Sequence, residues 1–148
     1  MAEWEEVLKE DLRRDEGLRL KAYQCTAGVW TIGFGTTRWF DGKPVRKGMI
    51  CTREEADDLL ERDMQAAISD ARRAVSSFDE LDGPRKTVMA NMSYNLGFNR
   101  LSEFKNTIRS VNVGDYKDAA LRMMQSKWAA QVGQRAARLS KRMATGAY

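Results

Sequence analysis

The sequence predicts an α+β fold that is mostly α, with one small antiparallel sheet near the N-terminus. Apolar residues recur at helical spacing before residue 15 and again from about residue 52 onward. Between these regions, glycines at 28, 33, 35, 42 and 48 separate short β-prone segments such as Val29-Trp30-Thr31-Ile32. The 148 residues are enough for one domain with a substantial core.

A first helix is predicted over about residues 2–14. Its apolar face comprises Trp4, Val7, Leu8 and Leu12. Glu16 is expected to be the last helical residue, because the glycine that follows, Gly17, is suited to end a helix. A β-hairpin should follow, in a sheet of two or three strands, and Asp41-Gly42 is a strong hairpin-turn dipeptide.

A long helix is predicted from Thr52, because Thr52 and Glu55 have the spacing of a capping box. The helical stripe continues for about 25 residues, which corresponds to roughly 35 Å. Such a helix leaving a small sheet suggests two lobes with a cleft between them, whereas a single helical bundle would place no cleft beside Glu16. We expect one domain over residues 1–148, with a sheet lobe at about 17–51, a connecting helix at about 52–76, and a helical lobe at 77–148 plus the N-terminal helix.

The next helix should begin at Asp82-Gly83-Pro84, since proline suits a first helical position. It is apolar on nearly all sides and is expected to end at Gly97, so we predict a buried central helix. Further helices are predicted at 104–111, at about 115–125 and at 131–143.

The charge distribution indicates an anionic partner. The chain has 25 basic and 21 acidic residues, a net charge of +4, but no acidic residue follows Leu121. The basic residues of that segment are Arg122, Lys127, Arg135, Arg138, Lys141 and Arg142. Such a face suits nucleic acid, lipid headgroups or an anionic wall polymer, although a solvated helix face is an equally good interpretation. No nucleic-acid signature accompanies it, so we expect no nucleic-acid partner.

Several classes of site are excluded. The chain has no histidine, which rules out His-based triads and His-ligated zinc. Cys25 and Cys51 are too few and too far apart for a metal knuckle or a disulfide framework, so no metal or cofactor is expected. No apolar run is long enough to cross a membrane, and the N-terminus lacks a secretory signal, so we expect the protein to be held first in the cytosol.

A candidate catalytic group lies where the first helix meets the hairpin. Glu16 would sit at the negative end of the helix dipole, facing Cys25 and Thr31 on adjacent strands. A glutamate disfavoured as an anion suits a general acid in glycoside cleavage, and the thiol and hydroxyl can hold a water. The alternative is that this Glu-Gly pair is merely a helix end.

The same residues resemble the active-site signature of phage-type lysozymes (endolysins, glycoside hydrolase family 24). In that pattern a glutamate is followed, after eight intervening residues, by Asp or Cys, and then, after five more, by Thr. Glu16, Cys25 and Thr31 match both spacings. The resemblance covers nearly the whole chain. It extends over Asp15–Leu20, Ala22-Tyr23, Thr31–Thr37, Asn91–Gly97, Lys127-Trp128, Gly133–Ala136 and Thr145-Gly146.

The resemblance implies a two-lobed fold with peptidoglycan in the cleft. Glu16 would protonate the glycosidic oxygen, Cys25 would replace the usual aspartate as nucleophile or base, and Thr31 would position the water. Arg135 would be a charge partner of Glu16 and, with Tyr94 and Thr107, would belong to the substrate-binding set. The thiol is a departure, since an ordinary thiol is mostly neutral at neutral pH. A second departure is Thr36, where many relatives carry histidine, and we expect it to affect stability more than chemistry.

The resemblance therefore predicts a phage endolysin, a muramidase that hydrolyses the β-1,4 bond between N-acetylmuramic acid and N-acetylglucosamine. One alternative is a lytic transglycosylase on the same bond, which needs a single acid. Another is a cationic lytic protein that acts on an anionic outer-membrane surface through the basic C-terminal third. The protein is expected to be a monomer that waits in the host cytoplasm until a holin pore opens.

Overall fold

The computed structural model describes every residue from Met1 to Tyr148 and contains seven α-helices, one short 3₁₀ turn and one two-stranded sheet. The elements are α1 (Glu3–Glu16), β1 (Arg19–Gln24), β2 (Trp30–Gly33), α2 (Arg53–Ala74), α3 (Gly83–Ser102), α4 (Lys105–Asn112), α5 (Tyr116–Met124), α6 (Lys127–Val132) and α7 (Gln134–Thr145). The predicted α+β class, mostly α, is confirmed. None of the helices is both long enough and apolar enough to cross a membrane.

The chain forms two compact units. We call residues 9–66 the sheet unit, and residues 1–8 together with 67–148 the helical unit. The predicted division into a sheet lobe, a connecting helix and a helical lobe stays a prediction.

The sheet of the sheet unit is an antiparallel hairpin. β1 pairs with β2 so that Tyr23 lies opposite Thr31, and the register shifts between Arg19 and Tyr23. One further segment borders β1, because the Cys51 N–H donates to the Leu20 carbonyl at 2.8 Å. The predicted hairpin is therefore confirmed, with two strands.

A second, smaller hairpin turns at Asp41-Gly42, as predicted. The Trp39 N–H donates to the Lys43 carbonyl at 2.9 Å, and Gly42 has a φ of +81°. Its base is held by α2, because the Arg62 guanidinium donates to the Trp39 carbonyl at 2.8 Å.

The capping box at the start of α2 is also confirmed. The Glu55 N–H donates to Thr52 Oγ1 at 3.0 Å, and the Thr52 N–H donates to Glu55 Oε1 at 2.9 Å. The helix that follows has 22 residues and is about 33 Å long. Its buried face comprises Ala56, Leu59, Leu60, Met64, Ala67, Ile68 and Ala71.

The centre of the helical unit is α3. Asp82 caps it by accepting a hydrogen bond from the Arg85 N–H, and the residues from Thr87 to Ser93 are all buried. Gly97 departs from helical geometry, with φ of 79° and ψ of 166°, but the helix resumes and runs to Ser102. The first helical segment of α3 therefore ends at Gly97, as predicted, and a second segment follows it to Ser102.

The predicted helices at 104–111 and 115–125 are confirmed as α4 and α5. The helix predicted at 131–143 is present as α7, which begins at Gln134, but a separate helix, α6, precedes it and was not predicted. Gly133, with a φ of +57°, separates α6 from α7. That conformation is costly for any residue but glycine, so the chain turns there. Ser126 begins α6 by accepting a hydrogen bond from the Ala129 N–H, a cap that the sequence prediction missed.

Candidate active site

The carboxylate of Glu16 lies against the backbone of Gly35. Glu16 is the last residue of α1, and Gly17 turns the chain away with a φ of +70°. A Cβ atom placed on Gly35 would lie only 2.8 Å from Glu16 Oε1. The glycine at this position therefore leaves the space that the carboxylate occupies.

A tight turn after β2 brings Gly35 to that place. The Ile32 N–H donates to the Thr36 carbonyl at 2.8 Å, and the Thr36 N–H returns a bond to Ile32 at 2.9 Å. The Thr36 side chain is buried, and its hydroxyl donates to Asp63 on α2 at 2.7 Å. Thr36 therefore anchors the turn to α2 and holds Gly35 in position beside Glu16.

Cys25 and Thr31 face the same side of the hairpin. Cys25 directly follows β1, two residues beyond Tyr23, and its N–H continues the pairing by donating to the Val29 carbonyl, while Thr31 is paired with Tyr23. Because side chains alternate along a strand and cross-strand partners share a face, all three point to one side. The predicted constellation of Glu16, Cys25 and Thr31 falls within the sheet unit.

The Cys25 thiol lies in a cradle of backbone N–H groups. Two backbone hydrogen bonds close the turn from Cys25 to Val29. The Cys25 N–H donates to the Val29 carbonyl at 3.0 Å, and the Gly28 N–H donates to the Cys25 carbonyl at 2.8 Å. Hydrogen bonds from the backbone of Val29 and then of Ala27 lower the pKa of the Cys25 thiol, with a smaller contribution from Thr31. Such a nest of N–H groups stabilises an anion, so the thiolate is more available here than in an ordinary cysteine.

Thr31 links this cradle to β2. Its side chain is buried, and its hydroxyl donates to the Val29 carbonyl at 3.0 Å. The hydroxyl has a single proton, so it serves either that carbonyl or the Cys25 sulfur at one time. The hydroxyl can therefore turn toward Cys25 when the thiolate forms.

Tyr23 is a neighbour of the site that the sequence interpretation gave no chemical role. Burial raises the pKa of the Tyr23 hydroxyl, the Arg19 guanidinium opposes this, and the negative charges of Glu16 and Cys25 raise it further. The hydroxyl is therefore within electrostatic reach of both groups. The two-residue spacing from Tyr23 to Cys25 was the available signal, since it places both on one strand face.

Cys51 is a different kind of thiol. It is buried, and burial followed by the charge of Glu55 raises its pKa. Both cysteines are free thiols. The Cys51 N–H is hydrogen-bonded to Leu20, and Cys25 lies five residues after Leu20. At the rise of a strand this separation is about 16 Å, whereas a disulfide needs Cα atoms within about 7 Å. The two cysteines are therefore too far apart to form a disulfide in this structure. No group of three or more cysteine, aspartate or glutamate side chains is placed to hold a metal ion.

The other predicted site residues belong to the helical unit. Tyr94 is half-buried on α3, and Thr107 is buried in the first turn of α4. Arg135 is only 8% exposed, and its Nε donates to the buried Asn91 at 2.9 Å. Arg135 is thus not part of the solvent-facing basic surface in which the charge pattern had placed it.

Comparison with known proteins gives a consistent set of relatives. The family described as phage lysozyme matches residues 13–145. The endolysin of Salmonella phage P22 is 34% identical over 112 residues, covering 74% of this chain and 73% of that protein. The SAR-endolysin of Escherichia phage 933W is 37% identical over 118 residues, covering 77% of this chain and 63% of that protein. A probable T4-type lysozyme of Dictyostelium discoideum is 26% identical over 160 aligned positions, covering 94% of each chain.

The two thiols should react very differently with iodoacetamide. Because hydrogen bonds lower the pKa of Cys25, its alkylation rate should reach half-maximum at a pH below that of an ordinary thiol. Cys51 should stay unmodified in the folded protein, since it is buried and its pKa is raised. Peptide mass spectrometry across a pH series measures both. Cys25→Ser is the control and should leave the folded protein unlabelled, whereas rapid labelling of Cys51 in that variant would contradict the assignment.

Proposed function

Because the chain belongs to the phage lysozyme family, we propose that Glu16 is the general acid of its glycosidase reaction. The protein is a lysozyme-type glycosidase and a phage endolysin, and its substrate is peptidoglycan. The reaction is hydrolysis of the β-1,4 bond between N-acetylmuramic acid and N-acetylglucosamine, which leads to lysis of the host cell.

The close approach of the Glu16 carboxylate to Gly35 supports this role most directly. A general acid must be held in a fixed position from which it can give its proton to the leaving oxygen. Gly35 has no side chain to displace the carboxylate, and the turn that carries it is fastened to α2 through Thr36. The arrangement therefore holds the carboxyl group in one place at the edge of the hairpin.

We assign Cys25 the role of the base. Its backbone cradle favours the thiolate, which meets the need for a second negative group beside an oxocarbenium-like transition state. The thiolate would take a proton from a water molecule whose oxygen attacks the anomeric carbon, while Glu16 gives its proton to the departing oxygen. The Thr31 hydroxyl, which interacts with the Cys25 sulfur, supports this role over direct attack by sulfur, because a base needs a second polar group to position the water.

The helical unit supplies the proposed substrate-binding residues Tyr94, Thr107 and Arg135. Thr107 is at the start of α4, and Arg135 is fixed by its bond to Asn91. A fixed cation suits a site that contains a carboxylate, because opposite charges attract. We propose that the protein acts as a monomer, that it leaves the cytoplasm through a holin pore, and that the basic residues after Leu121, without Arg135, can meet an anionic outer-membrane surface.

The variant Glu16→Gln tests the assignment of the acid. Glutamine cannot give up a proton, so clearing of purified peptidoglycan should fall by at least about 100-fold. Glu54→Gln is the matched control, since Glu54 is an exposed glutamate in the same unit and its loss removes the same charge. Turbidity loss of a peptidoglycan suspension measures both variants. Full clearing by Glu16→Gln would remove Glu16 from the mechanism.

Product analysis tests the base. If a water activated by Cys25 attacks, the products should have reducing muramic acid ends, and the anomer formed first should be the inverted α form. Mass spectrometry and early-time proton NMR read the two features. Cys25→Asp should keep the inverted anomer because a carboxylate can also act as a base. A retained anomer would indicate attack by sulfur, and anhydromuramic ends would indicate a lytic transglycosylase.

Replacing Gly35 with alanine tests the close approach. Gly35→Ala should lower activity by about 10- to 100-fold, because the new Cβ would occupy the space beside Glu16 Oε1. Gly42→Ala is the control. The φ of Gly42 is +81°, close to the +86° of Gly35, but no atom lies within 4 Å of a Cβ added to Gly42. Both variants should lose about 1–3 kcal/mol of stability from backbone strain, measured by urea unfolding, and only Gly35→Ala should lose activity in the folded protein. Equal losses of activity would show that strain alone is responsible.

A further inference from the structure

β1 begins with a charged side chain that the proposed reaction does not use. Arg19 is the first residue of this strand and follows Glu16 by three residues. Across the hairpin it is paired with Gly33, two residues before the Gly35 that lies against the Glu16 carboxylate. The backbone therefore places Arg19 at the edge of the candidate active site.

The side chain of Arg19 lies on the ring of Tyr23. The Cζ atom of Arg19 is 4.3 Å from the ring centroid, which is the geometry of a cation–π contact. Tyr23 is paired with Thr31 and faces the same side of the hairpin as Cys25. The guanidinium is therefore held on the side of the hairpin that carries the thiol and the hydroxyl of the candidate site.

The charge of Arg19 is not neutralised by the protein. Arg19 is exposed, makes no ion pair and donates no side-chain hydrogen bond within the structure. The two arginines that precede it in the same unit differ, because Arg13 and Arg14 each pair with an aspartate, at 3.1 and 3.2 Å. All five N–H donors of the Arg19 guanidinium thus stay available to a ligand.

The contact with Tyr23 also prepares Arg19 for binding. A long side chain in solvent samples many conformers, and the free energy of ordering it reduces affinity. Tyr23 is half-buried in the hairpin, and its ring restricts where the guanidinium can lie. Arg19 is therefore a partly ordered cation with free donors, placed beside the proposed acid.

The substrate of the proposed reaction supplies a matching anion. The sugar rings on either side of the scissile bond are uncharged, but the muramic acid carries a short peptide with free carboxylates. A guanidinium binds a carboxylate through two parallel hydrogen bonds, an arrangement that gives both affinity and orientation. We propose that Arg19, held on Tyr23, binds a carboxylate of this peptide and makes the enzyme selective for peptidoglycan with charged peptides. The inference rests on the proposed function and adds to it a residue that selects the substrate.

The test compares native peptidoglycan with the same material after its carboxylates have been amidated with carbodiimide and ammonia. For Arg19→Gln the KM for native peptidoglycan should rise by about tenfold while kcat is kept, because the lost interaction is present before and during the reaction. With amidated peptidoglycan, Arg19→Gln and the wild type should have the same KM. Initial rates over a range of substrate concentrations give both constants.

Arg53→Gln is the matched control. Arg53 is another exposed arginine of the sheet unit that makes no ion pair, and it has no ring contact. Its replacement removes the same charge from the same unit, so general attraction between a basic protein and an anionic polymer falls equally in both variants. Arg53→Gln should keep the wild-type KM with both substrates.

Two variants of Tyr23 test the part played by the ring. Tyr23→Phe keeps the ring, so its KM should stay lower for native than for amidated peptidoglycan. Tyr23→Leu removes the ring, and adding Arg19→Gln to it should raise the KM for native peptidoglycan by much less than tenfold, since the two residues act together. The comparison of Arg19→Gln with the wild type needs no change at Tyr23 and decides the proposal even if Tyr23→Leu does not fold.

The proposal is overturned if Arg19→Gln raises KM equally with both substrates, which would indicate a structural role. It is also overturned if the wild type has the same KM for native and amidated peptidoglycan, or if Arg53→Gln matches Arg19→Gln. In each of these cases the wild type still clears peptidoglycan and the assignment of Glu16 stands. Failure of the proposed function would look different, because the wild type would then clear neither substrate.

Discussion

The sheet unit depends on one steric constraint, the contact between the Glu16 carboxylate and a residue without a side chain. Gly35 has to be glycine, and the turn that carries it has to stay where the last residue of α1 can reach it. The paired backbone bonds between Ile32 and Thr36 fix the turn, and the Thr36–Asp63 hydrogen bond fixes it to α2. Three elements that are distant in the sequence are thereby held around one carboxyl group.

Signals confined to a few neighbouring residues were sufficient to predict much of the fold. The capping box of Thr52 and Glu55 and the turn at Asp41-Gly42 are both present, because each depends on bonds between residues at most four apart. The same is true of the cap of Asp82. Local patterns could not show that the chain becomes helical again directly after a glycine that ends a helix. Gly97 and Gly133 both have positive φ, and after each of them a further helical segment begins at once.

The residues proposed for the candidate site could be chosen from the sequence, but the hydrogen-bond donors and buried partners around them could not. The spacing of Glu16, Cys25 and Thr31 was visible in the sequence, but the backbone donors around the sulfur depend on how five consecutive residues turn. In the helical unit, Asn91 binds Arg135 and Asn95 binds Trp128 across 44 and 33 residues. Contacts of that range have no local pattern, which is why Arg135 looked like a surface charge.

The cradle around Cys25 has a consequence for how this position can change over evolution. Its main donors are peptide N–H groups, which are the same whatever side chains the turn carries. A turn of this shape stabilises negative charge on sulfur or on oxygen alike. An ancestor with a carboxylate here and a descendant with a thiolate therefore need no compensating substitution nearby, because the stabilisation belongs to the main chain.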